Sequence, residues 1–159
     1  KERKPLNLGK FRILLGKIEI LKEGADITLV SYGSTLRMVE AVAKELMHFD
    51  IDAEVIDIQT LLPFDLEHGI QKSLAKTNRL LIVDEDVPGG ASAYILQQLI
   101  DLQNIFPLLD STPRTLSAKP HRPAYGSDGD YFSKPSEDDI FEKVYAIMHE
   151  SNPEAFPQI

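Results

Sequence analysis

Arg79-Leu80-Leu81-Ile82-Val83-Asp84-Glu85-Asp86-Val87-Pro88-Gly89-Gly90-Ala91-Ser92-Ala93-Tyr94-Ile95-Leu96-Gln97-Gln98-Leu99 is the stretch on which the fold turns. Its apolar opening, Leu80 to Val83, is unbroken and too short for an ordinary helix. Such a run suits a strand covered on both faces, as in a parallel sheet. Three acids follow, then Pro-Gly-Gly, then a helical pattern through Tyr94, Ile95 and Leu99. A buried strand therefore ends in a charged loop, and the glycine pair turns the chain tightly into a helix. In open α/β sheets, ligands and partners meet the fold at the carboxyl ends of strands.

Outward from this edge, strand and helix patterns alternate. Lys17 to Lys22 alternates polar and apolar residues, which predicts a half-exposed strand, and Ile27 to Tyr32 predicts a more buried one. Gly33-Ser34-Thr35 has the chemistry of a helix N-cap. The helix after it places Leu36, Val39, Val42, Ala43 and Leu46 on one face. Asp52 to Ile58 is the next strand, completing a right-handed β-α-β unit. Thr60 to Asp65 connects it to a short helix over Leu66 to Ala75. Beyond a helix ending near Leu102, Pro107, Pro113, Pro120, Pro123 and Pro135 break up residues 105–135. They leave room for one strand, at Arg114 to Ala118, in a segment expected to wrap the surface or a neighbour. Ser136-Glu137-Asp138-Asp139 opens a last amphipathic helix carrying Ile140, Phe141, Val144, Tyr145 and Met148. These elements predict an α/β sandwich with a mostly parallel sheet of about five strands. Residues 1–13 read as a linker from an upstream domain, 14–150 as one domain and 151–159 as a tail.

Charge and composition narrow the function. The chain carries 25 acidic against 17 basic side chains, a formal net charge of -8, and phosphate binding wants the opposite sign. Nucleic acid is therefore not an expected partner. The 159 residues contain no cysteine, so disulfides and thiolate metal sites are excluded among them, and a cytoplasmic location is expected. No apolar stretch approaches the ~20 residues of a membrane-spanning helix, and no signal-peptide pattern is visible, so no membrane association is expected. The first residue is Lys1 rather than methionine, which suits a piece of a longer polypeptide.

Several constellations invite a chemical reading, and each has a plainer one. Gly89-Gly90 before a helix offers backbone N–H groups to a phosphate. Neither the G-x-G-x-x-G nor the P-loop pattern is present, however, and three neighbouring acids would repel an anion, so a tight turn with close helix–strand packing is expected. Asp84, Glu85 and Asp86 have the chemistry of a hard-metal site or an acid/base pair, yet acids after a buried strand are usually solvated or ion-paired. Glu85 is kept as a candidate. Gly126-Ser127-Asp128-Gly129-Asp130, with Asn152 further on, resembles the opening of a magnesium-binding motif. Pro123 and Tyr125 argue against the buried strand that motif needs, and a turn is the better reading. Of four histidines, His48, His68 and His149 fall at helix ends or on polar faces, whereas His121 lies in the proline-rich segment and is kept as the second candidate. No complete active site is legible.

Three pieces of sequence together resemble a known family. They are Tyr32-Gly33-Ser34 after a strand, Ala53-Glu54-Val55-Ile56-Asp57-Ile58-Gln59-Thr60-Leu61-Leu62-Pro63-Phe64-Asp65, and strand-Asp84-Glu85 followed by Gly89-Gly90. With the lead-in Leu15 to Gly24, they resemble the C-terminal domain of the transketolase family, over roughly residues 14–104. Within it, the β-subunit halves of thiamine-diphosphate-dependent 2-oxo acid dehydrogenases are the most alike. Where that family usually has a further glycine after the pair, this chain has Ala91-Ser92.

The resemblance implies a three-layer α/β/α sandwich whose mixed, mostly parallel five-stranded sheet has its first strand, about Lys17 to Leu21, antiparallel. It implies that thiamine diphosphate and magnesium are bound by other domains and none by this one, which is not expected to be active alone. It implies a role in assembly, with Glu85, Gly89 and Gly90 at a subunit contact in a homo- or hetero-oligomer, and a possible dock for the lipoyl acyltransferase core. The expected whole enzyme decarboxylates a 2-oxo acid, branched-chain in preference to pyruvate, and acylates lipoamide. Two other readings stand beside it. One is another transketolase-family enzyme, such as transketolase or deoxyxylulose-phosphate synthase, for which His121 and Arg122 would serve as anion-binding groups. The other is a non-enzymatic interaction module.

Overall fold

All four residues of the apolar run Leu80–Val83 are buried in an interior strand of a five-stranded sheet. The computed structural model describes residues 9–10, 12–121 and 132–158. In chain order the strands are β1 (Glu19–Lys22), β2 (Ile27–Ser31), β3 (Ala53–Asp57), β4 (Leu80–Val83) and β5 (Arg114–Leu116). They lie side by side in the order β1-β3-β2-β4-β5. β1 runs antiparallel to β3 and the other pairs are parallel, so the sheet is mixed as the resemblance implied.

The register explains the two-sided burial. Leu29 of β2 faces Val55 of β3 and Leu81 of β4, and these pack with Ile27 and Val83 against helices α1 (Thr35–Leu46) and α4 (Glu137–Ser151). Val30, Ile56, Leu80 and Ile82 point to the opposite face, where α2 (Gly69–Thr77) supplies Ile70 and Leu74 and α3 (Ala91–Gln97) supplies Ile95. Side chains alternate across a strand, so a strand buried on both faces must be apolar throughout. Each fully buried Leu or Ile contributes roughly 1.5–3 kcal/mol, and these two cores make the three-layer α/β/α sandwich.

Four local features differ from the expectations. α2 starts at Gly69 and not Leu66, because Asp65 accepts from the Gly69 and Ile70 N–H groups (2.8 and 2.9 Å) and His68 adopts a left-handed conformation before it. The helix after the glycine pair ends at Gln97 and passes into a π-helical turn, Gln98–Leu102. Ser34 occupies the N-cap position of α1 but its side chain caps nothing; its hydroxyl is drawn to Glu85 instead. His149, expected to be exposed, is half-buried. Its Nδ1 donates to the Phe156 carbonyl (2.6 Å), since a carbonyl can only accept, and Phe156 packs edge-on to Tyr145. The expected cap of the last helix is present: Ser136 Oγ accepts from the Asp139 N–H (3.1 Å) while Asp139 accepts from the Ser136 N–H (2.8 Å).

Candidate functional site at the carboxyl edge of the sheet

The carboxyl ends of β2, β3 and β4 form one edge, and the loops leaving it carry the candidates. After β4 the three acids take three different environments. Asp84 is fully buried. Its Oδ1 accepts from the Tyr32 hydroxyl (2.6 Å) and the Asp86 N–H (3.0 Å), and its Oδ2 from the Ser92 N–H (2.9 Å) at the start of α3. Burial, and then the carboxylate it faces, push the Tyr32 phenol well above its ordinary range. Glu85 is half-buried; its Oε2 accepts from the Ser34 hydroxyl (2.7 Å) and pairs with Lys134 (3.2 Å). The Ser34 hydrogen bond and then Lys134 hold its carboxyl below the usual 4.5, so it is ionised at neutral pH. Asp86 is exposed and turns its Oδ1 back to the Val87 N–H (2.8 Å).

The glycine pair is a tight turn, as expected, but the close approach is to a side chain. Gly89 has φ +93°, with open space where a Cβ would be. At Gly90 a Cβ would run into the Asp86 carboxylate, and the Gly90 N–H donates to the Val87 carbonyl (3.0 Å). Pairing between the loops after β4 and β5 continues past the strands, with the Asp84 N–H on Leu116 O and the Ala118 N–H on Asp86 O (both 2.9 Å). Next in the chain, the Lys119 N–H donates to Ser133 O (2.8 Å) and its ammonium lies 4.0 Å above the Phe132 ring. His121, exposed, packs its ring 5.5 Å from the same Phe132. The segment Phe132–Lys134 thus touches both candidates, His121 through a ring and Glu85 through an ammonium. Arg122 and residues 126–130 lie outside the described residues.

At the β1/β3 end the edge is built differently. Thr60 Oγ1 accepts from the Gly16 N–H (2.7 Å) and donates to Pro63 O (3.0 Å), and the Leu66 N–H donates to Gly16 O (2.8 Å). The Leu62–Pro63 bond is cis. Asp65 is 1% exposed and takes a further hydrogen bond from Gln103 Nε2 (3.0 Å), besides capping α2. Thr-Leu-Leu-Pro-Phe-Asp is therefore a structural connector in which Thr60 ties down the lead-in and Asp65 starts the helix.

The family model for "Transketolase, C-terminal domain" matches residues 16–132. The chain belongs to that family. Among curated proteins, "Pyruvate dehydrogenase E1 component subunit beta" of Mesostigma viride is 37% identical over 134 residues, 84% of this chain and 40% of the relative. "2-oxoisovalerate dehydrogenase subunit beta 2, mitochondrial" of Arabidopsis thaliana is 38% identical over 92 residues, 57% of this chain and 25% of the relative. The chain thus spans less than half the length of these curated relatives. Among solved structures, "Split gene transketolase, inactive beta4 tetramer" shares the fold with a TM-score of 0.68 at 22% identity, covering 87% of this chain and 43% of that one.

In this transketolase C-terminal domain, the acids at the edge do not suit a resident divalent ion. Asp84 spends both oxygens on protein donors, Glu85 is held by Ser34 and Lys134, and Asp86 turns to its own loop. Among the described residues, no group of three or more His, Asp or Glu is placed to hold a metal. An ionised, ion-paired glutamate is also a poor general acid. What the arrangement does is fix loops: Asp84 starts α3, and Glu85 joins the turn after β2 to the Phe132–Lys134 segment. Sequence reasoning kept Glu85 and passed over Asp84 and Asp65, whose roles depend on donors up to 52 residues away in the chain.

Proposed function

We propose that this chain is the C-terminal assembly domain of the decarboxylase component of a thiamine-diphosphate-dependent 2-oxo acid dehydrogenase. The observation that carries the reading is a carboxyl edge whose acids are all spent on fixing loops, in a domain related over most of its length to dehydrogenase β subunits. Thiamine diphosphate and magnesium belong to other domains of the enzyme, where the cofactor supplies the carbanion chemistry. This domain presents Glu85, Gly89 and Gly90, with the turn they anchor, to a neighbouring subunit in a hetero- or homo-oligomer. The lipoyl acyltransferase core is a further partner. A cytoplasmic location is supported by the cysteine-free composition. Branched-chain 2-oxo acids are the preferred substrates and pyruvate the next; relatives of both kinds support the class.

The test uses the full-length polypeptide, together with its partner subunit if the two are separate. Decarboxylation of branched-chain 2-oxo acids, pyruvate and a ketose phosphate is measured side by side with thiamine diphosphate and magnesium. Turnover of a 2-oxo acid with acyl transfer to lipoamide is expected, fastest with a branched-chain acid. Ketose-phosphate turnover alone would move the enzyme to the sugar-phosphate branch of the family. No thiamine-dependent turnover at all would leave an interaction module.

A further inference from the structure

The amino edge of the sheet, at the other end of the strands, holds one interior acid. Glu54 of β3 is fully buried, and its Oε2 accepts from the Gly24 N–H (3.2 Å) and from the Lys76 ammonium of α2. Its Oε1 has no partner among the described residues. Lys76 reaches in from outside: its side chain is 43% exposed, and the same ammonium meets the exposed Glu23 (2.9 Å). In the pairs made by Lys17, Lys22, Arg79, Arg114 and Lys134 the acid is itself 39–63% exposed, whereas Lys76 neutralises a charge that solvent does not reach. The backbone is closed around it. A Cβ on Gly24 would lie 2.3 Å from the Ala53 carbonyl carbon and the Glu54 nitrogen, so the turn between β1 and β2 is pressed onto the start of β3. Beside Glu54 in the sheet, Thr28 shares its hydroxyl with Ser73 (2.6 Å) and Thr77 (2.7 Å) of α2. The last turns of α2 thus dock on this end of the sheet through polar groups.

We propose that Lys76 is an acylation site whose modification loosens the amino edge. The unprotonated Nζ attacks the carbonyl carbon of an acyl thioester; a C–N bond forms, the C–S bond breaks, and the proton leaves with the thiol. The product is a neutral amide, so Glu54 keeps the Gly24 N–H and loses its cation. A buried ion pair adds little stability over an apolar pair of the same volume, yet removing one of its charges is strongly destabilising. The pairing therefore makes the edge depend on a single exposed amine. The source of the acyl thioester is the one point that rests on the functional reading above, in which the enzyme loads acyl groups onto lipoamide. Access and reactivity both fit a slow reaction. The amino edge lies at the opposite end of the strands from Glu85, Gly89 and Gly90, which that reading gives to a neighbouring subunit. Hydrogen bonds to Glu54 and then to Glu23 raise the Lys76 pKa above its usual 10.5, which leaves less free amine. Lys76 therefore reacts after the exposed Lys44 of α1 and Lys72 of α2, and its modification marks a sustained excess of acyl thioester.

Full-length protein carrying Nε-acetyllysine at position 76, inserted during translation, separates the lost charge from the reaction that removes it. Amide hydrogen exchange at Gly24, Ala25 and Asp26 and in the last turn of α2 is expected to quicken at least about tenfold. Glu54→Gln removes the buried charge, and in that background the same acetylation is expected to change exchange by less than about twofold. Lys76→Arg keeps a cation and is expected to exchange like the parent. In a second arm the native protein is incubated with millimolar acetyl-CoA at pH 8, and each lysine is followed by mass spectrometry. Lys76 is expected to be acetylated more slowly than Lys44 and Lys72. Exchange that is unchanged by acetylation, or that quickens equally with and without Glu54→Gln, would overturn the proposal. So would a Lys76 that stays unmodified while Lys44 and Lys72 react to completion. Neither arm uses turnover. A protein without thiamine-dependent activity that passes both arms loses the functional reading alone, and an active one that fails either arm loses only the acylation site.

Discussion

Two buried aspartates stand at the same sheet edge, one after β3 and one after β4, and their surroundings are opposite. Asp65 and Asp84 each collect N–H groups at the start of the following helix, Gly69 and Ile70 for one, Ser92 for the other. Each takes one further side-chain donor, Gln103 Nε2 and the Tyr32 hydroxyl respectively. A carboxylate at a helix start meets both orphan donors and the positive end of the helix dipole, so the same βα problem has the same solution twice. Around Asp84 the neighbours are polar and already paired, with Glu85 held by Ser34 and Lys134. Around Asp65 the exposed Leu66 and Leu102 line a cavity together with Phe64, His68, Gln98 and Gln103. One end of the edge is closed by its own ion pair, and the other leaves Leu62, Leu66 and Leu102 exposed among polar neighbours.

The largest expected effect tests whether the aspartates are equivalent. Asp84→Ala orphans the Ser92 N–H, and Ser92 is 2% exposed, so no water takes the place of the carboxylate. A loss of about 3 kcal/mol in urea unfolding at unchanged slope is expected. Asp65→Ala is expected to cost about 2 kcal/mol, because the half-exposed Gly69 lets water reach one of the freed donors. Equal losses would break the distinction between a closed and an open end. A smaller effect separates turn geometry from packing: Gly89→Ala meets open space but keeps a positive φ, so about 1 kcal/mol is expected from backbone strain alone. Gly90→Ala should cost less, since its φ of -77° suits any residue and the Asp86 carboxylate its Cβ would meet ends an exposed side chain that can turn away, and the same denaturation measurement ranks the two.

How much of this was legible in the sequence follows from the range over which each feature is determined. The unbroken run Leu80–Val83 encodes its own burial, so the interior strand could be read locally; the alternation before Lys22 marks a strand but not its burial, since Ile20 and Leu21 are exposed and Lys22 is half-buried. Family resemblance added the antiparallel first strand, which periodicity cannot give. Local reading failed where a distant group intervened. Asp84, Glu85 and Asp86 are three like acids in a row, and only Tyr32, Ser34 and Lys134 make them different. Ser34 has the right chemistry and the right position for a cap, yet Glu85 claims its hydroxyl. The exposure of Leu62, Leu66 and Leu102 is likewise invisible in the sequence, where nothing separates them from the buried Leu74 and Leu99.

The smallest expected effect concerns the ion pair that closes the charged end, and its pH dependence carries a sign. Glu85 has a folded pKa below its ordinary 4.5, because the Ser34 hydroxyl and the Lys134 ammonium both favour the carboxylate. The stability it contributes is therefore fully present above pH 4.5 and is lost as pH falls through the lowered value. Both partners' side chains are 39% exposed, so solvent screening limits the contribution at neutral pH to a few tenths of a kcal/mol. Glu85→Gln keeps the shape and removes the charge, and it is expected to lower stability by that amount at pH 7. The gap should close below pH 4.5 and shrink in 1 M salt, where the screening length falls to about 3 Å. Paired urea titrations at pH 7, 5 and 3 measure it. A gap that widens on acidification would mean that the glutamate is destabilised as an anion, and the charged end would then be held by Asp84 alone.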